Sequence, residues 1–344
     1  MTEDKLVDPS AAPLRLRWRA PALPWAEILF WLLPVAAAAL LPSRLPLLGQ
    51  MAVLGLFTLS LDLLVGYAGM VSLGHAAFYG TGAYAAGLLA QHGWGEPISG
   101  LLLGGAAAAS IGFATSFLVL RGSDLTRLMV TLGLAMMLYE AANKAAWLTG
   151  GADGLQGVEI WPIFGLWRFD LAGRTAFVYA LTVLFALFLI ARRLVRSPFG
   201  LSLQGIRENA RRMPAIGTPV NARLVAIYTV SAGYAGVAGA LLAQTTQFVS
   251  LDVLGFDRSA EVLLVLVLGG IGTLYGALIG AAIFASVHDV LSDLTPHYWE
   301  FWMGITFIAL VLLARGGVMG LLRRLAGLRG TDRGARLRPG RGPT

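Results

Sequence analysis

Apolar runs of roughly twenty residues, separated by short polar corners, recur along this chain. They predict helices at approximately 24–42, 46–65, 72–91, 98–120, 125–148, 175–194, 222–246, 260–272, 275–293 and 299–314. At ~1.5 Å of rise per residue, such a run matches the ~30 Å hydrocarbon core of a bilayer. The run at 260–272 is too short to cross alone and reads as part of a broken or re-entrant element. That is tolerable only where protein or a watery cavity covers the freed backbone. The predicted fold class is an all-α polytopic membrane protein of about eight to ten spans, with broken or re-entrant glycine-rich elements. Residues 1–22 read as a tail, 23–315 as the membrane domain and 316–344 as a second, basic tail. Glu27 and Pro34 interrupt the first run, which therefore reads as a span and not as a cleaved signal.

Composition supports the pattern. Of 344 residues, 57% are hydrophobic and 13% charged, with a mean hydropathy of +0.71, against roughly 25% charged in soluble domains. The net charge of +7 reads as orientation and not as nucleic-acid binding. Most lysines and arginines cluster in the N-terminal tail (Lys5, Arg15, Arg17, Arg19), the 121–127 corner, the 192–223 segment and the tail from Arg315 onward. Ten alternating spans put all four clusters on one side, which predicts cytoplasmic termini and a cytoplasmic 195–221 loop. The 149–174 loop falls on the other side. It carries Asp153, Glu159 and Asp170, with Trp147, Trp161 and Trp167 in or beside it.

Glycine comes next. Burial alone does not hold helices together in lipid, so small residues spaced four apart are used to bring backbones close. Gly104, Ala108 and Gly112 form one such stripe, Ala232, Gly236 and Ala240 another, and Gly272, Gly276 and Gly280 a third. "GHAAFYG" (74–80) and "GIGTLYG" (270–276) share Gly-x4-Tyr-Gly. The matches are short, and chance in glycine-rich sequence accounts for them more readily than an internal repeat.

Charges inside the runs are costly, roughly 2.5–3.5 kcal/mol each near mid-span on insertion scales. The candidates are Glu27, Asp62, Glu140 and Asp289; Glu140 has Lys144 one turn on. Asp62 and His75 flank a break at Gly66–Gly69. With Tyr67, Ser72 and Tyr79 they either line a solute path or tie two helix ends together. His92 and His297 fall at span ends, and His288 has no companion at metal-ligand spacing.

Catalysis is poorly supported. The chain has no cysteine, which removes thiol chemistry and disulfides, and no His-Glu-x-x-His or Gly-x-Ser-x-Gly occurs. A phosphate-binding loop needs a lysine after glycine; the only lysines, Lys5 and Lys144, do not follow one. No cofactor is expected.

The longest internal polar stretch, "RRLVRSPFGLSLQGIRENARRMPAIGTPVNARLVAIY" (192–228), holds about thirty residues where a turn would suffice. Ser197–Pro198 is suited to start a helix over "GLSLQGIREN", and Gly217 with Pro219 to stop and turn the chain. It is either a basic loop on anionic lipid or a docking element for a partner.

This stretch resembles the coupling region of permease subunits of branched-chain amino-acid ATP-binding-cassette importers of the LivM type. The matching positions include Gly200, Leu203, Ile206, Arg207, Glu208, Asn209, Gly217, Ser231, Ala232, Ala235, Gly236, Ala238, Gly239 and Ala240. "GYAGMVSLGHAAFYGTGAYAAGLL", "LTGGADGLQGV" and "EVLLVLVLGGIGTLYGALIGA" are similar to further stretches of that family, in order, over about residues 45–325. Pro214, Ser202 and Gly205 depart from its pattern. The resemblance implies a permease without its own ATPase. Its implied partners are two cytoplasmic ATPases that bind the ATP, a second, LivH-like permease and a periplasmic solute-binding protein, within the lipid of a bacterial inner membrane. It assigns coupling to Arg207, Glu208, Asn209, Ala210 and Gly217. Urea is an alternative solute, and an ion-coupled carrier using Asp62, Glu140 or Asp289 is the rival reading.

Overall fold

The computed structural model describes residues 24–320 except 123, 171, 295, 297 and 314–316. The cationic residues of both tails and His297 lie outside the described residues. Each of the ten expected spans finds a helix: α1 Pro24–Leu40, α2 Leu45–Asp62, α3 His75–Gln91, α4 Pro97–Val119 and α5 Asp124–Lys144. The one-turn α6 (Ala146–Thr149) follows, then α7 Arg174–Arg196, the side helix α8 (Pro198–Asn209), α9 Val220–Thr246, α10 Phe256–Gly269, α11 Leu274–Leu294 and α12 Trp299–Leu313. Six helical segments among the described residues are both apolar enough and long enough to cross a membrane. They include Pro42–Tyr67, in which a π-helical turn, Leu63–Tyr67, extends α2. The helices α1, α3, α10 and α12 are shorter, at 17, 17, 14 and 15 residues. The architecture is that of an all-α polytopic membrane protein.

The first unit holds α1, an apolar helix with Pro34 inside it and Phe30 set edge-on to Trp31 at 5.7 Å.

In the rest of the chain α2 and α9 are the interior helices, with most of their length covered by protein, whereas α5 is mostly uncovered. The reason is written in small residues. The two stripes expected on α4 and α9 face each other in antiparallel register. A Cβ on Gly236 would stand 2.3 Å from the Ala108 methyl, one on Gly112 2.4 Å from that of Ala232, and one on Gly104 2.9 Å from that of Ala240. Across α3 the backbones come closer still, since a Cβ on Gly239 would lie 1.8 Å from the Tyr79 carbonyl oxygen. On α11, Gly276 and Gly280 likewise admit the backbone of α10. Gly272 is not part of that helical stripe. It sits in the turn before α11 at φ +77°, where a side chain would be strained.

Buried hydroxyls and amides stitch these contacts. Ser231 of α9 donates to the Ser60 carbonyl at 2.6 Å. Tyr179 donates to the Gln244 side-chain oxygen at 2.8 Å, and the Gln244 amide donates to the Pro97 carbonyl at 2.8 Å. At that end the 150–170 segment covers the helix ends. Leu155 bridges to Val249, and the Trp161 backbone N–H donates to the Gly95 carbonyl at 2.8 Å. The side chain of Glu96 caps α4 by accepting the Ser99 N–H at 2.7 Å; hydrogen bonding to the Ser99 side chain, helped by the backbone N–H groups, holds its carboxyl below the usual range.

The packing predicts a pair of outcomes. Gly239→Ala pushes α3 and α9 apart against rigid backbone and costs about 3 kcal/mol or more, beyond usual overpacking. Gly133→Ala on α5 meets open space and is neutral or stabilising by about 0.5–1 kcal/mol. Thermal melts of the detergent-purified chain, followed by size-exclusion chromatography, check both.

Candidate functional site

Two helices break at the same end of the bundle. α2 passes into the π turn Leu63–Tyr67, a feature that frequently marks functional sites, before α3 begins at His75. α10 stops at Gly269, and α11 starts at Leu274. Asp62 joins the two breaks. It is fully buried, and its Oδ1 accepts the Gly272 N–H at 2.7 Å.

α8 closes the knot. Ser197 caps it by accepting the Gly200 N–H at 3.4 Å, and Pro198 fills its first turn. Its buried residues, Gly200, Leu203 and Ile206, recur every three positions and so lie on one face. Next on the chain, Arg207 runs its stem under Gly69 and donates from its guanidinium to the Gly66 carbonyl, which the π turn exposes. Glycine is required at Gly66 and Gly69, because a Cβ on Gly66 would stand 2.3 Å from the Asp62 carboxylate and one on Gly69 2.9 Å from the Arg207 stem. Arg207 also supplies opposite charge to Asp62. Glu208, Asn209 and Ala210 are exposed, as are Leu201 and Ile216. A one-turn 3-10 helix (Met213–Ile216) follows, with Pro214 in its first turn, and Gly217 ends it at φ +81°. Gly205, a departure from the family pattern, lies beneath the Met213 thioether. Arg223 stacks on Phe199 at 5.2 Å, closing the loop on itself.

The residues expected beside the break divide into two groups. Asp62, Tyr67 and Ser72 are buried at the knot. Deeper in the bundle, His75 Nε2 lies 2.8 Å from Ser60 Oγ, which itself donates to the Phe57 carbonyl. That leaves His75 as the donor through Nε2 and places its bare Nδ1 in an apolar pocket without a partner. Phe57 stacks between His75 at 5.8 Å and Tyr79 at 4.3 Å. Tyr79 faces a cavity of about 430 Å³ that opens toward the other end of α2. The sequence reading did not single out Arg258, Glu261, Gln50 or Arg44, which line that cavity or pair with its walls. The only signal for Arg258 and Glu261 was their i, i+3 spacing; Arg44 is remote in sequence from its partners Asp289 and Asp293.

Together these features describe a polytopic helical membrane protein in which an amphipathic side helix is wired to two broken helices at one end, below a polar cavity that opens at the other. The chain belongs to the family described as branched-chain amino acid transport system / permease component, which it matches over residues 43–312. It is 30% identical over 282 residues to the high-affinity branched-chain amino acid transport system permease protein LivM of Salmonella typhimurium, and 30% identical over 287 residues to the protein of the same description from Escherichia coli. Each alignment covers 75% of this chain and 66% of the relative, so the chain spans just under two thirds of their length. The autoinducer 2 import system permease protein LsrC of an Enterobacter species is 27% identical over 242 residues, 67% of each chain. No solved structure matches.

Two substitutions probe the site. Arg207→Ala frees the Gly66 carbonyl and removes the cation facing Asp62, loosening α8 by about 1.5–3 kcal/mol, the worth of a hydrogen bond to a charged group. Amide exchange over 198–209 then rises while the other helices stay protected. His75→Leu keeps the chain assembled, because Ser60 retains the Phe57 carbonyl, but lowers solute flux. Equal flux in variant and parent rules His75 out of the path.

Proposed function

We propose that this chain is a membrane-spanning permease subunit of an ATP-binding-cassette importer for branched-chain amino acids or a related small solute, in the inner membrane of a bacterium. The observation that carries the reading is Arg207: one turn of an amphipathic side helix, presenting an exposed face to a partner, is bonded directly into the break of the most enclosed helix. A rigid element seated in a moving partner transmits that motion to whatever it grips. In this reading both termini and α8 are cytoplasmic, and the 149–174 loop is periplasmic. Two ATPase subunits bind the ATP and seat α8, so the permease needs no cofactor. A second permease subunit completes the pathway, and a solute-binding protein delivers cargo to the opposite face. The names of the LivM relatives support amino acids as the solute class, and the name of LsrC, an autoinducer 2 import permease, supports keeping a related small solute in the reading. An ion-coupled carrier is less well supported, because Asp62 is committed to the Gly272 N–H and to Arg207.

The test is uptake of radiolabelled leucine by proteoliposomes holding the assembled importer. Uptake is expected to require ATP and to vanish on exchanging the charges of Arg207 and Glu208 (Arg207→Glu with Glu208→Arg), while the permease remains inserted. Concentrative uptake driven by a proton or sodium gradient in vesicles holding this chain alone overturns the reading.

A further inference from the structure

The cavity above Phe57 and Tyr79 has two chemically opposite walls. On one, Arg258 at the start of α10 donates to Glu261 at 2.7 Å. That is an i, i+3 pair with the arginine half exposed, so it is weak and readily shared. A guanidinium carries several donors and takes a carboxylate two-pronged. On the other wall α11 presents Asp289 and Asp293, both paired with Arg44, which approaches from the start of α2. Between the walls the surface is apolar: Val53, Leu54 and Phe57 of α2, Leu242 of α9 and Phe284 of α11. The stacked rings of Phe57 and Tyr79 line its deep side. The volume of about 430 Å³ lies within the ~300–1,000 Å³ of small-molecule sites. A second cavity shares Arg258, Glu261, Phe284 and His288 with it.

A wall that offers a cation, a wall that offers carboxylates and an apolar strip between them match one ligand chemistry, a small zwitterion with an apolar side chain. A monoanion satisfies only Arg258, and a monocation only the acids. An uncharged polyol or amide has no charge to exchange with the ion pair on either wall. We propose that this cavity is a zwitterion-binding site on the solute path, with Arg258 taking the ligand's carboxylate, Asp289 and Asp293 its ammonium, and the Phe57–Tyr79 pair acting as the floor on which the solute rests before passage. This rests on the reading of the chain as a solute permease, and it adds the residues that select the cargo within this subunit.

The absence of cysteine from the sequence makes the test direct. Ala285→Cys and Ser292→Cys place a thiol on the cavity lining; Ile308→Cys, on an exposed apolar face of α12, is the control. Spheroplasts expressing the full chain are treated from outside with a membrane-impermeant cationic thiosulfonate. Both cavity thiols are expected to react and the control to stay unlabelled. Leucine is expected to slow the reaction several-fold, whereas 3-methylbutylamine and 4-methylpentanoate, each lacking one charge, leave it unchanged at the same concentration. Adding Arg258→Gln abolishes protection by leucine while labelling persists. Unreactive cavity thiols, protection by the singly charged analogues equal to that by leucine, no protection by leucine, or protection that survives Arg258→Gln each overturn the proposal. Those failures leave the function above standing wherever ATP-driven uptake persists, and loss of ATP dependence in the uptake assay is what removes that function.

Discussion

The structure depends on a buried carboxylate that holds two interrupted helices together. Asp62 places a carboxyl group in a fully enclosed position, where a charge without compensation is expensive. Its compensation comes from backbone and from a distant side chain: the Gly272 N–H on one oxygen and the field of Arg207. Each is available only because a helix has been broken. The turn at Gly270–Gly272 frees the N–H, and the π turn after Asp62 frees the Gly66 carbonyl that receives Arg207. Removing Asp62 or Arg207 leaves a backbone group of a broken turn, the Gly272 N–H or the Gly66 carbonyl, without its partner, so the breaks and the two side chains stabilise one another. That also explains the glycines crowded around the knot: at Gly66 and Gly69 a methyl would occupy the space of the carboxylate or the arginine stem, and at Gly272 the backbone turns at φ +77°.

Much of this was legible in the sequence, and the reasons are specific. The apolar runs gave every long helix its place because run length and helix rise fix each other. The stripes on α4 and α9 were readable from spacing alone, since close backbone approach leaves no freedom of residue type. The side helix was visible from Ser197–Pro198 and Gly217, whose chemistry starts and stops helices whatever surrounds them. Span length was read less well. The π turn lengthens α2 without any local signature, and α10 is short because the buried turn Leu251–Leu254 precedes it, packed against Gly80. Nor was the reach of Arg207 legible. The sequence marked it as one of several arginines on a polar loop, whereas its partner Gly66 lies 141 positions away. Pairings such as Arg44 with Asp289 are of the same kind. They depend on which helices meet, and periodicity is silent about that.

The same helix carries everything the proposed mechanism needs. Along α2, Gln50, Val53, Leu54 and Phe57 face the cavity, Ser60 meets His75, Asp62 holds the knot, and Gly66 in the π turn receives the side helix. A π turn contains one residue more than an α turn would. Its register is therefore a natural place to absorb or release a small rotation of the helix above it. Phe57 lies less than two turns above the start of that irregular segment and is stacked on Tyr79. A rotation of α2 driven through Arg207 therefore reaches the aromatic floor without passing through any loop. The glycine contacts of α3, α4 and α9 supply the complementary half of the argument: backbones packed this closely do not yield, so they serve as the fixed frame against which α2 turns.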